Sequence, residues 1–260
     1  MDRTAPNWDP AQYLKFADHR LRPAVDLLGR VDLSAQGTVV DLGCGAGNVT
    51  ALLRRRWPDR SILGVDSSPA MLKKARETLP GVVFVQADVG RWQPDAPVAL
   101  IYSNAALHWL DDHASLFPKL MGMLRSGGAL AVQMPRNHGA PSHTAMVESA
   151  ADRRFQPYLA KVLRPNPVAR PQVYREMLAP HAATLDLWET EYLHVLEGDN
   201  PVVEWTKGTA LRPLIEALPN ELRADFLADY ARRVAAAYPP AGDGRTLFPF
   251  RRLFLVASAH

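Results

Sequence analysis

Through the first half of the chain, short apolar runs alternate with stretches whose apolar positions recur at helical spacing. "GTVVDLG" predicts a first strand. "NVTALLRRRWP" predicts a helix whose basic last turn suits the negative end of its dipole and which proline closes. "SILGVD" predicts a second strand, and "SSPAMLKKARETLPG" a helix with Ser68 as N-cap, Pro69 at the first helical position and Gly81 past the end. "VVFVQAD" and "VALIYSN" predict a third and a fourth strand, followed by a helix over "ASLFPKLMGMLRSGG" that ends in glycines before the strand "ALAVQM". Strands this apolar, separated by helices, are buried on both faces. That implies a parallel sheet with right-handed crossovers, whose ligands gather beyond the carboxyl ends of the strands.

After Met134 the rhythm changes. Residues 135–180 are polar, helical and rich in proline, and "LDLWETEYLHVL" then predicts a long strand. "NPVVEWTKG", "LRPLIEAL" and "NELRADFLADYARRVAAAYP" predict helices, and "TLFPFRRLFLVASA" a last strand. The two late strands suit an antiparallel hairpin at the sheet edge, which leaves the intervening helices to cap the ligand end. The expected fold is α/β: a doubly wound, mostly parallel seven-stranded sheet with an antiparallel edge hairpin and a helical cap. At 260 residues, against roughly 150 per domain, one large domain is expected. Within it, residues 1–30 form a helical lid segment, 31–134 the cofactor-binding core, 135–245 the cap and substrate region, and 246–260 the last edge strand.

Composition narrows the partners. A formal net charge of +3 without a basic stripe interleaved with aromatics argues against a nucleic-acid surface and leaves room for a small anionic ligand. The single cysteine, Cys44, excludes an internal disulfide and suits a reducing compartment. No apolar run reaches the roughly 20 residues of a membrane span. The first residues lack a signal-peptide core, so a cytoplasmic location is expected. The histidine pairs His108/His113 and His138/His143 are spaced five apart and put no two ligands on one helical face, so no metal is assigned.

"VVDLGCGAGNVT" carries glycines at 43, 45 and 47, bare backbone a ligand can approach closely. Compared with the dinucleotide fingerprint G-x-G-x-x-G, the third glycine comes one position early and Asn48 takes its place. Asp41 precedes the loop. Asp66 ends the second strand about 20 residues further on, where a ribose-binding carboxylate belongs, and Asp88 closes the third strand. Three carboxylates at successive strand ends repel a diphosphate. They suit S-adenosylmethionine, which has an ammonium, a sulfonium and a ribose diol, and no phosphate.

"VVDLGCGAGNVT", "GVDSSPAML", "VQADVGRW", "IYSNAALHWL" and "LRSGGALAVQM" resemble, in order and spacing, the successive motifs of class I S-adenosylmethionine-dependent methyltransferases. "NWDPAQYLKFADHRLRPAVDLL", "AVQMPRNHGAPSH", "GTALRPLIEAL" and "FRRLFLVA" extend the likeness to the bacterial trans-aconitate 2-methyltransferases, which methylate a carboxylate of a small tricarboxylic acid. The resemblance implies S-adenosylmethionine as cofactor, with S-adenosylhomocysteine as product. It implies that Gly43, Gly45 and Gly47 admit the amino-acid tail, that Asp41 reaches the ammonium, and that Asp66, with Ser67 beside it, holds the ribose. Asp88 and Val89 would take the adenine, and Met71 and Trp92 either pack against it or belong to the core. Asn104 and its neighbour Ser103 would face the methionine moiety.

Tyr13 and Trp8 are candidates for a lid over the cofactor or for pinning their segment to the sheet, and Arg20 and Arg22 for the cofactor's carboxylate or the acceptor. On the acceptor side the candidates are Arg212 and Arg252, which match the family pattern, together with Asn137, His143 and His108. Structural roles compete at several of these positions: helix capping at Asp66, a solvated strand end at Asp88, a core imidazole at His108 and a surface role for each arginine. Cys44 reads as a small residue beside the adenosine rather than a nucleophile. Because a carboxylate with a pKa of roughly 4 is already ionised, no proton-transferring residue is required, and catalysis rests on proximity and orientation. Carboxyl methylation of a malonyl group on a carrier protein is the alternative acceptor chemistry.

Overall fold

The computed structural model describes residues 17–164 and 167–260. Among them, seven strands form one sheet: β1 (Val39–Leu42), β2 (Ile62–Asp66), β3 (Val83–Gln86), β4 (Val98–Asn104), β5 (Leu124–Pro135), β6 (Thr184–Leu196) and β7 (Thr246–Ser258), in the order β3-β2-β1-β4-β5-β7-β6. β1 to β5 run parallel, and β7 is antiparallel to both of its neighbours. All four residues of β1 are buried, as expected of a strand covered on both faces. α1 (Ala17–Leu28) and α2 (Asn48–Arg56) cover one face, where Leu27 and Leu53 pack with Tyr102, Ala131 and Phe254. α3 (Pro69–Thr78) crosses from β2 to β3 and packs Leu72 and Ala75 against Phe84. On the opposite face lie α4 (His113–Gly122) and α7 (Pro171–Leu178), which bring Phe117 and Tyr174 against Ile101, Val132 and Leu253. β1 neighbours β2 on one side and β4 on the other, so the strand order reverses there and opens a crevice at the carboxyl ends.

The edge hairpin decides where the cap sits. Pairing of β5 with β7 ends at Pro135↔Arg252, whereas β6 and β7 stay paired to Leu196↔Thr246. Residues 246–251 of β7 therefore carry the hairpin ~20 Å beyond the end of β5 at a strand's rise per residue. Onto this projection fold α5 (Pro141–Ala150), α6 (Gln156–Leu159), α8 (Pro201–Lys207), α9 (Arg212–Ala217) and α10 (Asn220–Ala237). Their core holds Trp205, Phe226 and Tyr230 against Leu196, Phe248 and Phe250. The cap is thus on the side of the sheet's carboxyl edge.

Two local expectations are corrected. α4 stops at Gly122, and Arg125 to Gly128 belong to β5 instead of ending the helix. The pairing of β4 and β5 jumps from Val98↔Leu124 to Leu100↔Ala129, and the glycines make this irregularity possible. Gly127 has φ +70, and a Cβ at Gly128 would lie 2.8 Å from the Arg125 carbonyl. β3 ends at Gln86, so Asp88 stands just past the strand and not on it.

Candidate active site

The glycine loop closes one side of the crevice. At Gly43 (φ +82) a Cβ would fall 2.2 Å from the Ala106 Cβ, so the loops after β1 and β4 touch through the missing side chain. At Gly45 (φ +54) the same construction meets nothing within 4 Å, which leaves open space over the loop. Gly47, also left-handed, starts α2. Asp66 Oδ2 accepts the Gly45 N–H and Oδ1 the Ser68 N–H, each at 2.8 Å, tying the loop to the end of β2. A carboxylate has about four acceptor positions, so two remain for a ligand. Ser67 is exposed beside it, and the Ser68 Oγ accepts the Met71 N–H at 3.3 Å, as expected of the N-cap; Met71 itself is buried.

Asp41 lies beneath this loop, 1% exposed, with Thr50 donating to its Oδ2 at 2.6 Å. Burial, and after it the charge of Asp66, pushes its pKa up to about 7 against the Thr50 hydrogen bond. Burial also pushes the Cys44 thiol up, with Asp41 and Asp66 adding to the effect, which makes it an inert packing residue. Asp88 is exposed and accepts the N–H groups of Gly90 and Arg91; Val89 next to it packs against the core. Of the three expected carboxylates, Asp66 and Asp88 reach the rim and Asp41 is closed off from it.

Across the crevice, β4 ends in Asn104, whose Oδ1 is buried without a hydrogen-bond partner. The next residue, Ala105, has φ +53, a left-handed conformation that costs a side-chain-bearing residue about 1 kcal/mol or more and concentrates at functional sites. Ser103 alternates to the other face, where its hydroxyl donates to the Leu42 carbonyl at 2.7 Å. Gln133 in β5 pairs with Asn104, is fully buried, and has its Nε2 without a partner. Arg252 in β7 is 4% exposed; its Nη1 lies 3.5 Å from Gln133 Oε1, and its guanidinium covers the ring of Phe250 and, at 6.0 Å, that of Tyr192. Arg22 is exposed and stands 5.2 Å over the Tyr192 ring, close to Asp26.

The loop after β5 adds Asn137, buried, whose Oδ1 accepts the Arg251 N–H and whose Nδ2 has no partner. His143, in the first turn of α5, has its Nδ1 3.2 Å from the Ser142 Oγ and its ring 5.0 Å from that of His138. Burial, and then the neighbouring His138, lowers His143 to about 3; burial and Arg164 lower His138 to about 4; burial, His138 and Arg252 hold His108 well below the ordinary value. These imidazoles are neutral at pH 7. Arg212 opens α9, where it forms an ion pair with Glu216 on its own helix at 2.7 Å.

The structure therefore groups Asn104, His108, Asn137, His143 and Arg252 near the carboxyl ends of β4 and β5 and the adjoining part of β7, while Arg212 belongs to the cap. Tyr13, Trp8 and the side chain of Arg20 lie outside the described residues. Sequence reasoning missed Gln133, Tyr192 and His138. Gln133 has a signal: it is the polar residue inside the apolar run "ALAVQM".

A family model for a methyltransferase domain matches residues 39–128. The trans-aconitate 2-methyltransferase of Azoarcus sp. (strain BH72) is 52% identical over 252 residues, covering 97% of this chain and 99% of the relative. The enzyme of that name from Streptomyces coelicolor is 48% identical over 99% of this chain and 88% of its own. The chain belongs to the trans-aconitate 2-methyltransferase family. Solved structures agree on the fold: YcgJ of Bacillus subtilis (TM-score 0.57, 14% identity, 92% of this chain and 99% of that one) and Haemonchus contortus phosphoethanolamine N-methyltransferase 2, solved with S-adenosyl-L-methionine (TM-score 0.55, 15% identity, 92% and 53%). As a methyltransferase of this family, the chain uses S-adenosylmethionine as its cofactor. Its residues fit that group: open space over Gly45, spare acceptor capacity on Asp66 and the orphaned Asn104 oxygen lie around one crevice.

Proposed function

We propose that this chain methylates a carboxylate of trans-aconitate, giving a methyl ester and S-adenosylhomocysteine. The observation that carries the acceptor reading is Arg252, a guanidinium almost wholly buried on β7 at the carboxyl edge of the parallel strands, two strands from Asn104. A permanent cation in that position matches an acid with more than one carboxylate. Full-length relatives bearing the name of that activity support it.

When bound, the cofactor supplies a methyl group on a sulfonium. Asp66 accepts its ribose hydroxyls, with Ser67 alongside; Asp88 and Val89 border the adenine, with Met71 packed below. Gly43, Gly45, Gly47 and Asn104 surround the amino-acid end, with Arg22 for its carboxylate and Tyr13 as part of the lid. Asp41 compensates the cationic end from beneath the loop. Arg252 fixes a carboxylate of the acid that does not react, and Asn137, His108 and His143 offer neutral donors around it; Arg212 approaches from the cap. Residues 1–30 serve as lid and 135–245 as cap over the core at 31–134. The reacting oxygen is already anionic, so no base acts, and the gain comes from alignment of oxygen, methyl and sulfur. No helix among the described residues is long and apolar enough to cross a membrane; we place the reaction in the cytoplasm, on a small acid rather than on a nucleic acid, without a metal.

Labelled S-adenosylmethionine offered with a panel of di- and tricarboxylates and a malonyl carrier protein tests this. Label in a monomethyl ester of trans-aconitate is expected. Preferential labelling of the malonyl group would replace the reading. Arg252→Ala is expected to raise the acceptor KM with S-adenosylhomocysteine affinity unchanged.

A further inference from the structure

Gln133 and Asn104 are register partners on adjacent parallel strands, so their side chains leave the same face of the sheet side by side. Each keeps a buried polar atom without a partner, Nε2 of Gln133 and Oδ1 of Asn104. A buried donor left unpaired costs about 1–3 kcal/mol, and a leucine in this apolar strand would avoid it. Pinning Arg252 does not account for the residue either, because that contact uses only the carbonyl oxygen. The guanidinium instead fixes which way the amide lies: the oxygen faces the cation, and the NH2 is directed away from it.

We propose that Gln133 is the residue that orients the reacting carboxylate. This rests on the acceptor reading above. Asn104 and Gln133 stand level on β4 and β5, and Arg252 stands on the next strand, β7, level with Pro135, two residues nearer the cap; adjacent strands are ~4.8 Å apart. Gln133 is thus one strand from the methyl-donor end, and Arg252 is two strands across and two residues along from it, about 12 Å between backbones. The Gln133 NH2 donates to one oxygen of the near carboxylate and leaves the other oxygen unbonded to attack the methyl carbon. In that step the O–CH3 bond forms as the S–CH3 bond breaks, and the electron pair stays on sulfur, giving a neutral thioether and an ester. A neutral donor is the right choice here, since a guanidinium paired to both oxygens would withdraw the lone pair that must attack. Arg252, one strand further, takes the next carboxylate of the same molecule. The pair selects acids whose carboxylates reach from the Gln133 NH2 to the Arg252 guanidinium, and it selects which one reacts.

The test uses the full chain loaded with S-adenosylhomocysteine for binding and with S-adenosylmethionine for turnover on trans-aconitate. Gln133→Leu removes the donor, and Gln133→Glu keeps the shape and an oxygen for Arg252, so it remains informative if the leucine variant fails to fold. Gln133→Leu is expected to lower kcat/KM 10- to 100-fold, the range for a hydrogen bond to a charged group, and to turn a single monomethyl ester into a mixture of isomers. Gln133→Glu is expected to lower kcat/KM by about a thousandfold, with S-adenosylhomocysteine affinity unchanged in both. Retention of kcat/KM within twofold and of a single ester isomer by either folded variant would overturn the role of Gln133 while leaving trans-aconitate as acceptor. A wild-type protein that binds S-adenosylhomocysteine and methylates no polycarboxylate would overturn both.

Discussion

The Tyr192 hydroxyl donates to Asp26 Oδ2 at 2.6 Å, joining the edge hairpin to α1 across the sheet face that carries Asn104 and Gln133. The same ring lies against two guanidiniums, 5.2 Å from Arg22 and 6.0 Å from Arg252. Burial and Asp26 raise the phenol's pKa, so it remains a donor throughout the working range. Tyr192→Phe keeps the ring and removes the tether. It is expected to destabilise the protein by about 1–2 kcal/mol in urea denaturation and to raise the acceptor KM several-fold because Arg252 loses a fixed wall. An unchanged KM would limit Tyr192 to a structural part.

The glycine loop separates fold from cofactor. Gly43→Ala collides with Ala106 and is expected to cost several kcal/mol, read as a large fall in Tm. Gly45→Ala meets open space, so its cost is limited to about 1–2 kcal/mol of backbone strain. Yet it should weaken S-adenosylhomocysteine binding tenfold or more, because the added methyl occupies the space left for the amino-acid tail. Asp66→Ala should weaken the same binding more strongly still. Calorimetric titration distinguishes these outcomes, and normal affinity in Gly45→Ala would move the cofactor away from this loop.

Asp41 gives the stability a pH dependence of defined sign. Its folded pKa, about 7, exceeds the ordinary aspartate value of 3.8, so the folded state binds the proton more tightly. Its stabilising contribution is complete below pH ~4 and is lost as pH rises through 7. Asp41→Asn removes this dependence. The variant's stability relative to wild type should improve between pH 5 and pH 8 by a few kcal/mol at most, on the order of 1.4 kcal/mol per pK unit. A difference independent of pH would mean that Asp41 ionises as easily as an exposed carboxylate.

The histidines act in the opposite direction. His143, lowered to about 3 from 6.5, contributes stability that is complete above 6.5 and lost as pH falls below it. His143→Gln should therefore lose less stability than wild type between pH 7 and pH 4.5, by about 2–3 kcal/mol. Denaturation at the two pH values measures this. Equal losses would place the imidazole in contact with water.

The sequence alone set out the elements and the cofactor. Strand apolarity, the glycine loop, the Ser68 cap and the carboxylates at strand ends are local signals, since each depends on a few consecutive residues and on backbone chemistry that neighbours do not override. It also showed the late hairpin, whose two strands were long enough to be recognised. The glycines at 127 and 128 misled because the same residue type ends helices and permits strand irregularities, and only the packing against Ala99 distinguishes the two. Which side chains share the site was decided by the tertiary structure. Gln133, Tyr192 and Arg252 are far apart in the chain and meet because β7 inserts between β5 and β6. Alternation along a strand tells which residues share a face, but lateral order and register, fixed by the packing of the whole sheet, determine which of them become neighbours. Asp41 illustrates the same limit: its motif was plain, and its burial under Thr50, which raises its pKa, exists only once α2 is in place.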